Sequence, residues 1–202
     1  PLADTDWVMT QGVNSNIFAL IALNSKPYSG VDTQPLLTAL LEEQHADNGW
    51  GLTSISSVDV TAMAIQALAP YYGEDDAVTE AVGKAIVWLN EKKIDTSEEN
   101  AQVIVALAAL GKDAGSYVDA LLTYYDEESG AFKHVSTSGT NQMATEQASF
   151  ALVAYDRYKN NQNALYDMSD AGTPAELPVD DTTAVNNAAA ALTWNIIRGG
   201  NS

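Results

Sequence analysis

Two kinds of helical pattern alternate along the chain. In the first, small apolar residues lie on almost every side, as in the segment from about Asp59 to Ala69, and a helix of that kind is normally buried all round. In the second, apolar residues recur at the spacing of one helical face, as from Val78 to Leu89. The alternation predicts an inner set of buried helices covered by an outer, amphipathic set.

The buried pattern occurs four times at a period of about 45 residues, which suits two helices and two connections per unit. We therefore expect an all-α fold in which helical hairpins repeat and curve into an α/α toroid. The predicted inner helices span about Ile17–Leu23, Thr61–Ala69, Ala101–Leu110 and Ala144–Tyr155.

Two of the predicted hairpins carry glycine and an aromatic residue at the turn, in the runs Gly49-Trp50-Gly51 and Gly130-Ala131-Phe132. Glycine permits a close approach of the backbone, and we expect the aromatic side chain to plug the end of the hairpin. The turn between them has the polar run Asp95-Thr96-Ser97-Glu98-Glu99 instead.

Residues 1–202 are interpreted as a single α/α toroid domain. Within it, residues 1–10 and 171–180 have the composition of loops or linkers, and residues 181–198 are a candidate terminal helix. A toroid of six hairpins would need about 270 residues at this period. We therefore expect an incomplete ring whose two ends are covered by Pro1–Gln11 and Asp181–Arg198.

The chain is strongly acidic, with 27 Asp and Glu against 9 Lys and Arg and a formal net charge of −18. Such a field repels the phosphate backbone, so nucleic acid is not an expected partner. No run approaches the roughly 20 apolar residues of a membrane-spanning helix, and no transmembrane segment is predicted. The absence of cysteine excludes disulfides and thiolate ligands.

The two histidines, His45 and His134, each lie near a predicted turn. A metal site usually needs three or four convergent ligands, and the neighbouring residues do not have that spacing. Calcium needs six to eight oxygen ligands, more than the acidic turns at Asp47 and Asp126 supply. We predict no metal site, and the sequence leaves the cofactor unknown.

Polar residues open the predicted inner helices, and in a toroid these helix starts gather at one end of the ring. Capping accounts for one polar residue per helix, but two or three precede each buried segment. Convergent polar groups in a concavity are the usual sign of a ligand site. With the two turn aromatics, the candidate ligand-binding residues are Asn14, Asn16, Trp50, Asp59, Thr61, Glu99, Asn100, Phe132, Thr145, Glu146 and Gln147.

Several of these residues belong to motifs that resemble a known repeat. Gln44 followed by Gly49-Trp50-Gly51 and Asp59-Val60-Thr61-Ala62-Met63-Ala64 resembles the repeat of squalene cyclases and protein prenyltransferase β subunits, as do the runs from Gln102 and Met143. From about Gln11 to Asp170 the chain is most similar to prenyltransferase-like repeat domains of Gram-positive surface proteins. Their toroid is shared by the cobalamin carriers intrinsic factor and transcobalamin. The resemblance implies an extracellular or cell-wall-associated location.

The chain departs from the catalytic members of that group. Where the squalene-type cyclases have Asp-x-Asp-Asp-Thr-Ala, the sequence reads Ser57-Val58-Asp59-Val60-Thr61-Ala62, so the middle carboxylate alone remains. The zinc ligands of protein prenyltransferases include a cysteine, as does the thioester of the complement toroids, and this chain has none. We therefore assign no catalytic residue, and an enzyme is the less favoured expectation.

Three functions remain open at this stage. The favoured one is a non-catalytic domain that binds a small molecule, a glycan or a neighbouring protein domain. The second is an enzyme of the terpene-cyclase-like or glycan-cleaving type that uses Asp59 and Glu146 as acid and base. Glycan cleavage would need the two carboxyl groups within about 5–10 Å of each other. The third is a structural spacer without a ligand.

Overall fold

The computed structural model describes residues 4–26, 28, 30–167 and 169–170. The α-helices of this part of the chain are α1 (Thr5–Met9), α2 (Val13–Asn24), α3 (Gln34–Glu42), α4 (Val58–Leu68), α5 (Asp76–Asn90), α6 (Ser97–Ala109), α7 (Gly115–Leu122) and α8 (Gln142–Lys159). A 3-10 turn, Ala69–Tyr71, continues α4, and the short strands β1 (Tyr125–Asp126) and β2 (Ala131–Phe132) pair antiparallel. The predicted all-α class is confirmed.

The four predicted inner helices correspond to α2, α4, α6 and α8. Each begins earlier than the apolar pattern indicated: α4 starts at Val58 rather than Thr61, and α8 at Gln142 rather than Ala144. The reason at α8 is a cap, because the side chain of Asn141 accepts a hydrogen bond from the backbone of Ala144. Polar residues that we expected ahead of the inner helices therefore lie in their first turns.

The hairpins form two layers. The inner helices pack in series, α2 on α4, α4 on α6 and α6 on α8, while α3, α5 and α7 pack on α2, α4 and α6 respectively. Alanines such as Ala62, Ala106 and Ala148 are fully buried where the inner helices meet, because a small side chain lets two helix backbones approach closely. This arrangement places successive inner helices side by side.

The first residues of the chain differ from the prediction. Residues 5–9, for which we expected a loop or linker, form α1, whose first turn is capped by the Asp4 side chain. Val8 is buried, and α1 packs on α2 and α3, so the helix covers one end of the array. The predicted loop 171–180 and the candidate helix 181–198 lie outside the described residues. Within those residues no helix is both long and apolar enough to cross a membrane.

Candidate functional site

The glycine–aromatic turns pack as predicted. Trp50 and Phe132 are 0% and 2% exposed, so both rings belong to the core. The indole of Trp50 also donates a hydrogen bond to the carbonyl oxygen of Leu40 at 2.8 Å. A Cβ on Gly51 would overlap the carbonyl oxygen of Ile55, which explains the glycine at that position. The predicted plugs are confirmed, and the structure places these two candidates away from solvent.

A threonine holds each of these turns from the fourth position of the next inner helix. The backbone N–H of Trp50 donates to Thr61 Oγ1 at 2.9 Å, and the Thr61 hydroxyl donates back to the Trp50 carbonyl at 3.1 Å. Phe132 N–H donates to Thr145 Oγ1 at the same 2.9 Å, while the Thr145 hydroxyl bonds the Asn141 carbonyl. Both candidate threonines therefore tie a turn to a helix.

The fourth residue of α6, Asn100, is buried and donates to the carbonyl of Thr96 at 2.8 Å. Glu99 and Thr96 form a capping box, in which each side chain accepts from the other's backbone N–H. These contacts replace the glycine–aromatic turn that the second hairpin lacks. Asn100 and Glu99 thus secure the start of α6.

In α2 the fourth residue is Asn16, which is 1% exposed. Its Nδ2 donates to Glu43 Oε2 at 3.0 Å, and its Oδ1 has no hydrogen-bond partner. Burial raises the pKa of the Glu43 carboxyl, and the hydrogen bond from Asn16 opposes that effect. The neighbouring candidate Asn14 also has a buried Oδ1 without a partner.

Asp59 does not cap α4. The cap position belongs to Ser57, which makes no side-chain capping bond, and Asp59 is the second residue of the helix. Thr145 is likewise not a cap, since Asn141 caps α8. Glu146 lines a shallow groove beside Thr145 at the start of α8.

The second, sixth and ninth residues of the inner helices lie along one face, because steps of four and three residues return to the same side of a helix. Side-chain contacts join this face across helices: Gln66 Nε2 donates to Gln102 Oε1 at 2.9 Å, and Gln102 Nε2 donates to Gln147 Oε1 at 3.0 Å. We call this surface the inner face. Its members are Asn14, Phe18, Ile21, Asp59, Met63, Gln66, Glu98, Gln102, Val105, Met143, Gln147 and Phe150.

The inner face is chemically mixed. Three amides form the ladder at its middle, and the carboxylates of Asp59 and Glu98 lie toward the helix starts. Its two aromatic side chains, Phe18 and Phe150, are about half exposed, and Met143 is exposed. A surface of this composition can offer hydrogen bonds and apolar contact together.

Both histidines make contacts near the turns. His134 Nδ1 lies 2.8 Å from Glu98 Oε2, and His45 Nδ1 lies 2.9 Å from the Ser56 hydroxyl. The hydroxyl of Ser56 in turn bonds Asp47, which, with hydrogen bonds from Gly49 and Trp88, lowers the pKa of that carboxyl. The described residues contain no group of three or more side chains placed to hold a metal ion.

Sequence reasoning missed a pocket at the other end of the inner helices. Its volume is about 240 Å³, and residues 163–167 lie across it after α8. The pocket is lined by Ile21, Asn24, Gln66, Ala69, Pro70, Val105, Ala109, Asn163, Ala164, Leu165, Tyr166 and Asp167. Gln66 could have indicated this pocket from the sequence, because it is a lone polar residue in the apolar run of α4. In the structure its side chain is 6% exposed.

Ten of the eleven candidates thus fall into two groups, and the eleventh, Glu146, lines the groove at the start of α8. The structure brings Asn14, Asp59 and Gln147 onto the inner face, whereas it engages Trp50, Thr61, Phe132, Thr145, Glu99, Asn100 and Asn16 in contacts that hold the hairpins. Comparison of the chain with protein-family models, with curated proteins and with solved structures gives no match.

Proposed function

We propose that the chain is a non-catalytic binding domain whose ligand or partner docks on the inner face. The observation that carries this proposal is the amide ladder from Gln66 through Gln102 to Gln147, which crosses three successive inner helices. Side chains fixed by one another lose little freedom on binding, and such preorganisation favours affinity. Exposed Phe18 and Met143 supply the apolar contact that ligand sites usually combine with a few placed polar groups.

The hairpins are proposed to form an incomplete α/α toroid with the inner face on its concave side. Serial packing of α2, α4, α6 and α8, with α3, α5 and α7 in an outer layer, supports this curvature. In the described residues α2 and α8 do not pack extensively against each other, so these four hairpin units are proposed to leave the ring open. The repeat is proposed to be of the prenyltransferase-like kind, because the motifs around Trp50 and Thr61 resemble it.

The same resemblance supports an extracellular or cell-wall-associated location as part of the proposal. A small molecule, a glycan or a neighbouring protein domain remains the expected class of ligand. The net charge of −18 favours neutral or basic ligands over anionic ones. Asp59 and Glu98 place two of these carboxylates on the inner face itself.

The arrangement of helices argues against Asp59 and Glu146 acting together as acid and base. Asp59 is on α4 and Glu146 on α8, and α6 packs between those two helices. Neighbouring helix axes are about 8–10 Å apart, so the axes that carry Asp59 and Glu146 are about two such spacings apart. Paired catalytic carboxyl groups in glycan cleavage approach within about 5–10 Å. We therefore keep the non-catalytic proposal.

A thermal-shift screen with two matched variants tests the proposal. Phe18 on the inner face and Val87 on α5 are apolar side chains that are 53% and 59% exposed, so Phe18→Glu and Val87→Glu place the same charge on opposite layers. The screen would use corrinoids, isoprenoids and soluble glycans. A ligand that binds only the folded chain raises its melting temperature.

We expect at least one compound to raise the melting temperature of the parent and of Val87→Glu but not of Phe18→Glu. If every stabilising compound also stabilised Phe18→Glu, binding at the inner face would be contradicted. A screen without any stabilising compound would favour the spacer function instead. If the parent chain turned over an isoprenoid or a glycan and Asp59→Asn abolished that turnover, the enzyme hypothesis would be favoured again.

A further inference from the structure

The pocket at the helix ends is built from three inner helices and one later segment. Asn24 ends α2, Ala69 and Pro70 follow α4, and Ala109 ends α6. These C-terminal ends meet because the inner helices run in the same direction. Residues 163–167 then lie across them and complete the wall. We call this space, of about 240 Å³, the covered pocket.

A buried arginine holds the covering segment in place. Arg157, in the last turn of α8, is 6% exposed. Its Nε donates to the Asn163 carbonyl at 2.9 Å, and its guanidinium also bonds the Asp167 carbonyl and the carboxylate of Asp170. Asp170 accepts a further bond from the backbone of Asn163 at 2.7 Å. The cover is therefore a fixed part of the fold.

The wall of the covered pocket is mostly apolar but contains two amide side chains, Asn24 and Gln66. Asn24 accepts from the Tyr71 hydroxyl through Oδ1, while its buried Nδ2 has no partner. Gln66 uses Nε2 in the amide ladder, and no donor among the described residues reaches its Oε1. The Asn24 nitrogen is closed to solvent, so Gln66 Oε1 is the acceptor that the wall offers to a ligand.

We infer that the covered pocket binds a compact, uncharged and largely apolar molecule that carries one hydroxyl group. A hydroxyl can donate to Gln66 Oε1, the acceptor in the wall that no donor among the described residues reaches. An apolar cavity of about 150 Å³ accommodates benzene, so this pocket accommodates about ten non-hydrogen atoms. A buried charge would need a partner, and the carboxylate of Asp167 is already engaged by Ser169 and Asn163.

The covered pocket shares Ile21, Gln66 and Val105 with the inner face, but its lining does not include Phe18 or Met143, and the inference does not rest on the proposed function. Phenols and small cyclic alcohols have the required chemistry. The probes are p-cresol and p-xylene, which have the same shape and differ in a hydroxyl against a methyl group. Their affinities would be measured with the intact chain by NMR titration, following the side-chain amide signals of Gln66 and Asn24.

We expect p-cresol to shift both amide signals and to bind about fivefold more tightly than p-xylene, the contribution of one hydrogen bond. Ala109→Phe fills the pocket from the end of α6 and should abolish binding of both probes, whereas Ala46→Phe, on an exposed turn residue, should retain it. Phe18→Glu should also retain it, which separates this test from that of the inner face.

Gln66→Leu provides a second variant in case Ala109→Phe does not fold, and it should bind the two probes equally. Equal affinity in the parent chain would overturn the assignment of a hydroxyl ligand. Binding that persists in folded Ala109→Phe would overturn the location. A parent chain that binds neither probe at millimolar concentration would overturn the inference as a whole.

Discussion

The two ends of the inner helices use polar side chains in different ways. At the helix starts, the side chains of Thr61, Asn100 and Thr145 form hydrogen bonds with the backbone of turns and caps. At the helix ends, Asn24 and Gln66 border a pocket, and no hydrogen bond from the described residues reaches Asn24 Nδ2 or Gln66 Oε1. The dense group of polar residues in the sequence therefore holds the turns and helix caps in place. The two isolated amides, in contrast, line the pocket.

The difference follows from what each end has to satisfy. The first turn of a helix has free N–H groups, and the chain enters it from a turn whose own backbone must be paired. Polar side chains at the helix start can pair with the backbone groups of the helix and of the turn. Thr61, for example, bonds both the N–H and the carbonyl of Trp50. At the helix ends an apolar wall is closed by a later segment, so an amide there can remain without a partner.

The largest expected effect tests the plug at the helix starts. Trp50→Ala removes a fully buried indole and leaves a cavity, so we expect a loss of about 3–5 kcal/mol in the free energy of unfolding. Trp7→Ala is the control, because Trp7 is 56% exposed and such surface changes stay within about 0.5 kcal/mol. Chemical denaturation measures both. Similar losses for the two variants would contradict the role of Trp50 as a plug.

An intermediate effect tests the cover at the helix ends. Arg157→Met keeps the apolar stem but leaves the carbonyls of Asn163 and Asp167 without their donor, which should cost about 1–3 kcal/mol. Amide hydrogen exchange of residues 163–167 should accelerate at the same time. Lys159→Met removes the same charge from an exposed position in the same turn of α8. If that control accelerated exchange equally, net charge and not the buried contacts would hold the cover.

The smallest effect concerns Asp59, which lies in the first turn of α4 without capping it. Its remaining contribution is the attraction between its charge and the helix N-terminus, worth about 0.3–1 kcal/mol. Asp59→Asn should lose this amount, and 1 M salt should remove the difference because it screens exposed charges. Asp119→Asn, within α7, controls for the change in net charge. A loss for Asp59→Asn that persists in salt would indicate a hydrogen-bonding role instead.

The regular part of the fold was predictable because it depends on local patterns. The apolar periodicity indicated α2, α4, α6 and α8, and the glycine–aromatic runs indicated the turns around Trp50 and Phe132. Their starts were placed too late, since caps such as Asn141 act before the apolar pattern begins. The run of polar residues at Glu99 and Asn100 likewise suggested a site where the structure has a capping box.

The inner face and the covered pocket depend on contacts between distant parts of the chain. Gln102 meets Gln147 across 45 residues and Gln66 across 36 residues, and no local pattern encodes those pairings. The cover depends on Arg157, which reads in the sequence as an ordinary basic residue at the end of a helix. Its burial follows from the turn after α8, which brings Asn163 and Asp170 back to it.

The central claim is that binding occurs on the inner face, and methionine methyl NMR tests it most directly. Met63 and Met143 lie on that face, whereas Met9 ends α1 and lines a groove beside α3. For a compound whose stabilising effect is lost in Phe18→Glu, we expect the ¹³C-methyl signals of Met63 and Met143 to shift while that of Met9 stays in place. A shift of Met9 with the other two unchanged would contradict the claim.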